Sequence, residues 1–136
     1  MSLASYIGCN IEISINDDDY SDDSFYIGSC FADKHDLLNV KKYQFTTPYV
    51  YEVSSHWGIK ISEYTTPEIC AESKKKLIEL CKIMDSYLEK GDFFELYSCW
   101  VGEEAEEREG EITLQMNNFD IDQIEIPEKT LVIFEK

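Results

Sequence analysis

Five aspartates, Asp17, Asp18, Asp19, Asp22 and Asp23, crowd around Tyr20 in a single short stretch. A stretch of that kind is first of all a candidate ligand set for a hard cation. Calcium loops of the EF-hand type need glycine at the sixth position and a bidentate glutamate at the twelfth. Counting from Asp17, this chain has Asp22 and Gly28 there, so the motif is absent and the stretch reads as a solvated charged loop. Acid–base chemistry would need paired carboxylates, for which Glu52, Glu63 and Glu95 are candidates on segments of strand character. Solvent-facing strand positions account for all three more simply. The two histidines, His35 and His56, fall in loop-like context, and no Cys–His pair or Ser–His–Asp triad can be argued from their neighbourhoods. The six glycines are scattered, which leaves no loop able to cradle phosphate. The residues thus imply neither catalysis, metal nor cofactor.

A second acidic segment carries Glu103, Glu104, Glu106, Glu107, Glu109 and Glu111, offset only by Arg108. The formal charge is −16, and most of it lies in these two connections. Nucleic acid and anionic membrane repel such a surface, whereas a basic protein would be drawn to it rapidly. Cys9, Cys30, Cys70, Cys81 and Cys99 show no CxxC spacing and sit in apolar segments. They read as reduced core residues of an intracellular protein. No apolar run approaches the length of a membrane-crossing helix. Tyr6-Ile7-Gly8-Cys9 resembles a lipoprotein cleavage box but has neither a charged start nor a long apolar stretch before it, and reads as part of a first strand.

The elements that would position these residues are organised around positions 66 to 102. Thr66-Pro67-Glu68 starts a helix: the hydroxyl can accept from an orphan N–H, proline loses no needed donor, and the carboxylate faces the positive end of the dipole. Cys70, Leu77, Leu80, Cys81, Met84 and Leu88 recur at spacings of three, four and seven, so they form the core-facing stripe of one long helix over about 67 to 90. Lys90 and Gly91 supply its ending. Phe93 to Val101 is aromatic and apolar on both alternating faces, the signature of a central strand covered on both sides.

The remaining strands follow from alternation and residue type. Ser5 to Ile15 and Ser24 to Ala32 are expected to form a hairpin with the aspartates at its tip, and Asp33 to Val40 a short helical turn. Tyr49 to Val53 and Ile59 to Tyr64 suggest a second hairpin across the turn that holds Trp57. Glu111 to Met116 is expected to return antiparallel beside Phe93 to Val101, and Thr130 to Phe134 to end the sheet. The sum is a single α+β domain over 1 to 136, an antiparallel sheet of about six or seven strands packed against one long helix.

Lys90-Gly91-Asp92 running into Phe94-Glu95-Leu96-Tyr97-Ser98-Cys99-Trp100-Val101-Gly102-Glu103-Glu104 resembles the helix-to-strand segment of small bacterial immunity proteins of polymorphic and contact-dependent toxin systems. The resemblance covers about a quarter of the chain. It implies a cytoplasmic, non-enzymatic inhibitor of a toxin domain, often a nuclease. The aromatics, among them Tyr20, Tyr49, Tyr51, Trp57 and Tyr97, would then anchor a protein-binding patch ringed by carboxylates. The partner-binding set is expected to comprise Asp17, Asp18, Asp19, Tyr20, Asp22, Asp23, Trp57, Glu103, Glu104, Glu106, Glu107 and Glu109. Two other classes stay open: a DNA-mimicking regulator, which needs carboxylates spaced like phosphates, and a small hydrolase, which needs a deep pocket holding His35 or His56 beside a cysteine or acid.

Overall fold

A computed structural model describes residues 3–13, 26–27, 34–54, 59–62 and 66–136. The Phe93 to Trp100 segment forms β4, and its neighbours are β1 (Leu3–Cys9) on one side and β6 (Thr130–Glu135) on the other, both antiparallel. Its position is central, as its two apolar faces require. Outside β1 lie β3 (Tyr49–Ser54) and then the two-residue β2 (Tyr26–Ile27); outside β6 lies β5 (Gly110–Gln115). Helix α1 spans Lys34–Tyr43 and helix α2 spans Pro67–Tyr87.

The α+β class holds, but the expected wholly antiparallel sheet against a single helix does not. Five strands of six to eight residues and the short β2 form a mixed sheet with two helices. β5 runs parallel to β6 and makes no pair with β4. The segment between β5 and β6 explains why: Ile126 exchanges backbone hydrogen bonds with Ile61, at 2.9 and 2.7 Å, and Ile126 is buried in the core beneath α2. The chain therefore crosses one sheet face before β6 begins, and a crossover of about a dozen residues or more joins parallel strands. Among the described residues neither expected hairpin forms. β2 pairs with β3 and not with β1, and Ile61 bridges Ile126 instead of returning along β3. The aspartate loop lies outside the described residues.

Two cores flank the sheet. On one face α2 lays Leu77, Leu80, Cys81 and Met84 over Ile7, Val53, Phe94, Leu96, Val132 and Phe134. Phe94 and Phe134, cross-strand partners, stack with centroids 4.9 Å apart. Thr66 caps α2 by accepting from Ile69 N–H at 3.4 Å. α2 ends at Tyr87, short of the expected end; Lys136 Nζ donates to the carbonyls of Asp85 and Leu88, supplying the cation its last turn lacks. On the other face α1 and Phe45 cover Ala4, Tyr6, Tyr97, Cys99 and Leu131.

This second core is partly polar. Glu52 and Glu95, expected to face solvent, are each only 1% exposed. Glu95 Oε1 accepts from the Thr46 amide, the Thr46 hydroxyl and the Thr47 hydroxyl, at 3.1, 3.2 and 2.9 Å. Buried acids are retained where such donors meet them. Gly8 is the cross-strand partner of Glu95, and a Cβ there would collide with Thr47 Oγ1 and press on the Phe45 ring. Because Thr47 is tied to Glu95 it cannot yield freely. Gly8→Ala should therefore cost about 1–3 kcal/mol of unfolding free energy, read as a lower urea midpoint with an unchanged slope.

Candidate functional site

The connection from β4 to β5 holds every glutamate of the second acidic segment except Glu111, which lies in β5, and its turn is built on Gly102, whose φ of +104° suits glycine. Gly102 N–H donates to both carboxylate oxygens of Glu104, at 3.1 and 2.9 Å, while Tyr6 Oη donates to Oε1 at 3.1 Å. Glu104 is thereby drawn inward to 1% exposure. It is withdrawn from the partner-binding set, because its carboxylate already binds donors inside the fold. Burial and the neighbouring Glu104 charge push the Tyr6 phenol far above its ordinary ionisation range.

Other parts of the segment are fastened from outside. Gln44, just past the end of α1, donates from Nε2 to the carbonyls of Glu104 and Glu106, at 3.1 and 2.6 Å, and its own carbonyl accepts from Arg108 at 2.8 Å. Lys129 sits between Glu103 and Glu106, at 3.2 and 2.7 Å. Those two carboxylates hold its ammonium in the charged form well above the usual lysine range. Lys129 has a φ of +58°, unusual for a side-chain-bearing residue, and three anchors hold it so. Its N–H donates to Ser98, its carbonyl accepts from Glu109 N–H, and its side chain bridges the two acids. Arg108 also lies 3.7 Å from Glu111.

What remains open is the outer wall. Glu107 and Glu109 are exposed and form no ion pair among the described residues. A cleft of about 400 Å³ lies between the end of α1 and this wall, lined by Tyr43, Gln44, Ala105, Glu106, Glu107 and Arg108. Tyr43 is 49% exposed, and Lys42 Nζ stands 5.2 Å from its ring centroid. That contact shows the ring face already receiving a cation, and the same ring beside Glu107 could receive one from a partner.

Of the expected binding residues, the structure brings Glu103, Glu104, Glu106, Glu107 and Glu109 into one connection but leaves only Glu107 and Glu109 unpaired among the described residues. Asp17, Asp18, Asp19, Tyr20, Asp22, Asp23 and Trp57 lie outside the described residues, as does His56. Tyr97 is fully buried and Tyr51 half-buried, its hydroxyl accepting from Ile13 N–H at 2.9 Å, so neither is a surface anchor; Tyr49 is exposed. Sequence reasoning missed Tyr43, Gln44 and Lys129, and only the helical placement of Asp33 to Val40, carried three residues further, pointed towards Tyr43.

Comparison with protein-family models, with curated proteins and with solved structures finds no match. Chemistry must therefore be weighed from the geometry. His35 is exposed on α1, its Nε2 3.3 Å from Asn39 Nδ2 one turn on. Among the described residues no group of three or more His, Cys, Asp or Glu could hold a metal ion, and no helix is long and apolar enough to cross a membrane. The described cysteines Cys9, Cys70, Cys81 and Cys99 are free thiols. Burial pushes the Cys81 thiol up to about 12 and raises that of Cys99 as well, which makes both poor nucleophiles.

Proposed function

We propose that this chain is a non-enzymatic, acidic protein-binding module, most concretely a cytoplasmic immunity-type inhibitor that neutralises a basic, nuclease-like toxin domain. The observation that carries the reading is the combination of an excess of 16 negative charges with an exposed aromatic–carboxylate cleft at Tyr43 and Glu107. The internal ion pairs of Lys129 and Arg108 redistribute this excess but do not remove it. An acidic field of that size accelerates encounter with a basic surface, and a half-exposed tyrosine flanked by carboxylates gives a lysine or arginine a seat.

The internal pairing decides which residues test the idea. Glu103, Glu104 and Glu106 hold their own connection together, so neutralising them would mix folding with binding. Glu107→Gln with Glu109→Gln removes charge and leaves those contacts intact. The partner would be captured from lysate at low salt and identified by mass spectrometry. Association of the double variant with it should then be several-fold slower, with a shallower salt dependence and an unchanged melting temperature. A captured partner that is acidic at its contact surface, or a variant that associates as fast as the parent, would defeat the reading.

A further inference from the structure

The outer side of β5 carries no strand among the described residues, although β5 is regular for its whole length against β6. In a parallel ladder, alternate residues turn both backbone groups towards the same neighbour. Met116 N–H donates to Glu135 of β6, so the even-numbered residues of β5 serve that ladder. Glu111, Thr113 and Gln115 therefore point their backbone groups away from the sheet. Among the described residues only one of those groups finds a local partner: the Gln115 carbonyl accepts from Asn118 N–H at 3.1 Å. An open edge of this kind is usually closed by lysine, proline or a bulge, and β5 has none of the three.

The side chains define what would fit. Glu111, Thr113 and Gln115 are exposed on one face, following Glu107 and Glu109 in the chain. The cations of the segments that lead into β5 and β6 are engaged, Arg108 with Gln44 and Glu111, Lys129 with Glu103 and Glu106. On the opposite face Ile112 and Leu114 are only half-buried and flank the α2-side core. A second copy of this chain would bring another charge of −16 to the same edge. An added strand of alternating basic and apolar residues would instead meet glutamate on one face and extend the core on the other.

We propose that the outer edge of β5 accepts an extended, alternately basic and apolar segment of a partner protein as an additional strand, paired through the backbone of Glu111 and Thr113. This deepens the reading of the chain as an acidic binding module and rests on it. Thr113 gives the test its handle. Its N–H faces outward, so Thr113→Pro removes a donor that has no acceptor among the described residues, and edge strands tolerate proline in that orientation. Thr113→Lys, which keeps the N–H but places a repelling cation, serves if the proline variant folds poorly.

The probe is a short peptide alternating lysine and valine, with its glutamate–valine counterpart as control, added to the isotopically labelled protein. The expected result is slowed amide exchange at Glu111, Thr113 and Gln115 with the basic peptide alone, lost in both variants. Perturbation confined to Tyr43 and Glu107 would overturn the edge proposal and leave the basic-partner reading standing. No response to the basic peptide anywhere would overturn both.

Discussion

Leu96→Asp is expected to abolish folding. Leu96 lies at the middle of β4, wholly inaccessible, between its register partners Ile7 on β1 and Val132 on β6. Leu96 packs there within a cluster of buried apolar side chains, so an aspartate in its place would lose the hydration of its charge. Leaving a buried charge unpaired costs about 3–5 kcal/mol, and loss of the leucine's own packing adds about 2–5 kcal/mol. Together, at about 5–10 kcal/mol, these remove most or all of the roughly 5–15 kcal/mol by which a domain is stable. Leu96→Met, which nearly conserves volume, should cost less than about 1.5 kcal/mol. Far-ultraviolet circular dichroism and urea titration of the two variants separate the cases, and a native transition for Leu96→Asp would mean that β4 is not the core strand.

The reason β4 and α2 could be read from sequence is that each carries a periodic signal which tertiary context only reinforces. A stripe at 3.6 residues is meaningful without knowing its partner, and so is a strand apolar on both faces. Strand direction carries no such local signal. Glu111 to Met116 alternates in the same way whether it runs with or against its neighbour; the one clue lay in the length of the connection up to Thr130, which exceeds what a hairpin needs. α1 was faint because Val40 is its only fully buried residue. The segment near Ile59 misled for the opposite reason. Its alternation is real, but Ile59 and Ile61 use it to enter the core under α2, where Ser5 Oγ and Ser73 Oγ accept from the amides of Ile59 and Lys60.

Charge was the least legible property, because residue type argues for exposure and only distant donors reverse it. Glu95 is buried on account of Thr46 and Thr47, and Glu104 on account of Tyr6, partners 48, 49 and 98 positions away. What in sequence is one acidic segment is divided by the fold, and the five glutamates ahead of β5 fall into three parts. Glu104 points inward, Glu103 and Glu106 are bound to Lys129, and Glu107 and Glu109 meet the solvent. The binding hypothesis thereby narrows from a charged segment to a wall and a cleft, with the adjoining sheet edge as its continuation.

The same inward-facing groups should make the protein sensitive to alkali. Burial raises Tyr6, Tyr97, Cys81 and Cys99, and nearby carboxylates push in the same direction: Glu104 at Tyr6 and Cys99, and Asp85 at Cys81. A group raised on folding keeps its proton when the unfolded chain has already released it. Its contribution is complete below the unfolded value and is lost as pH climbs towards the folded one. The loss therefore begins near the ordinary thiol value of 9.0 and steepens above the ordinary phenol value of 10.0. Each group withdraws about 1.4 kcal/mol per pH unit once its unfolded form is ionised. Four together approach the whole stability of a domain within one to two units above that point. Lys129 acts with the same sign through Glu106 and Glu103. Urea midpoints should hold steady near neutrality and fall sharply above about pH 10. Tyr97→Phe isolates one contribution, since the Tyr97 hydroxyl has no hydrogen-bond partner among the described residues. That variant should match the parent near neutral pH, where little is lost with an unsatisfied hydroxyl, and decline less steeply in alkali. A spectrophotometric titration in which all nine tyrosines ionise at their ordinary pH while the protein stays folded would contradict the sealed polar core beneath α1.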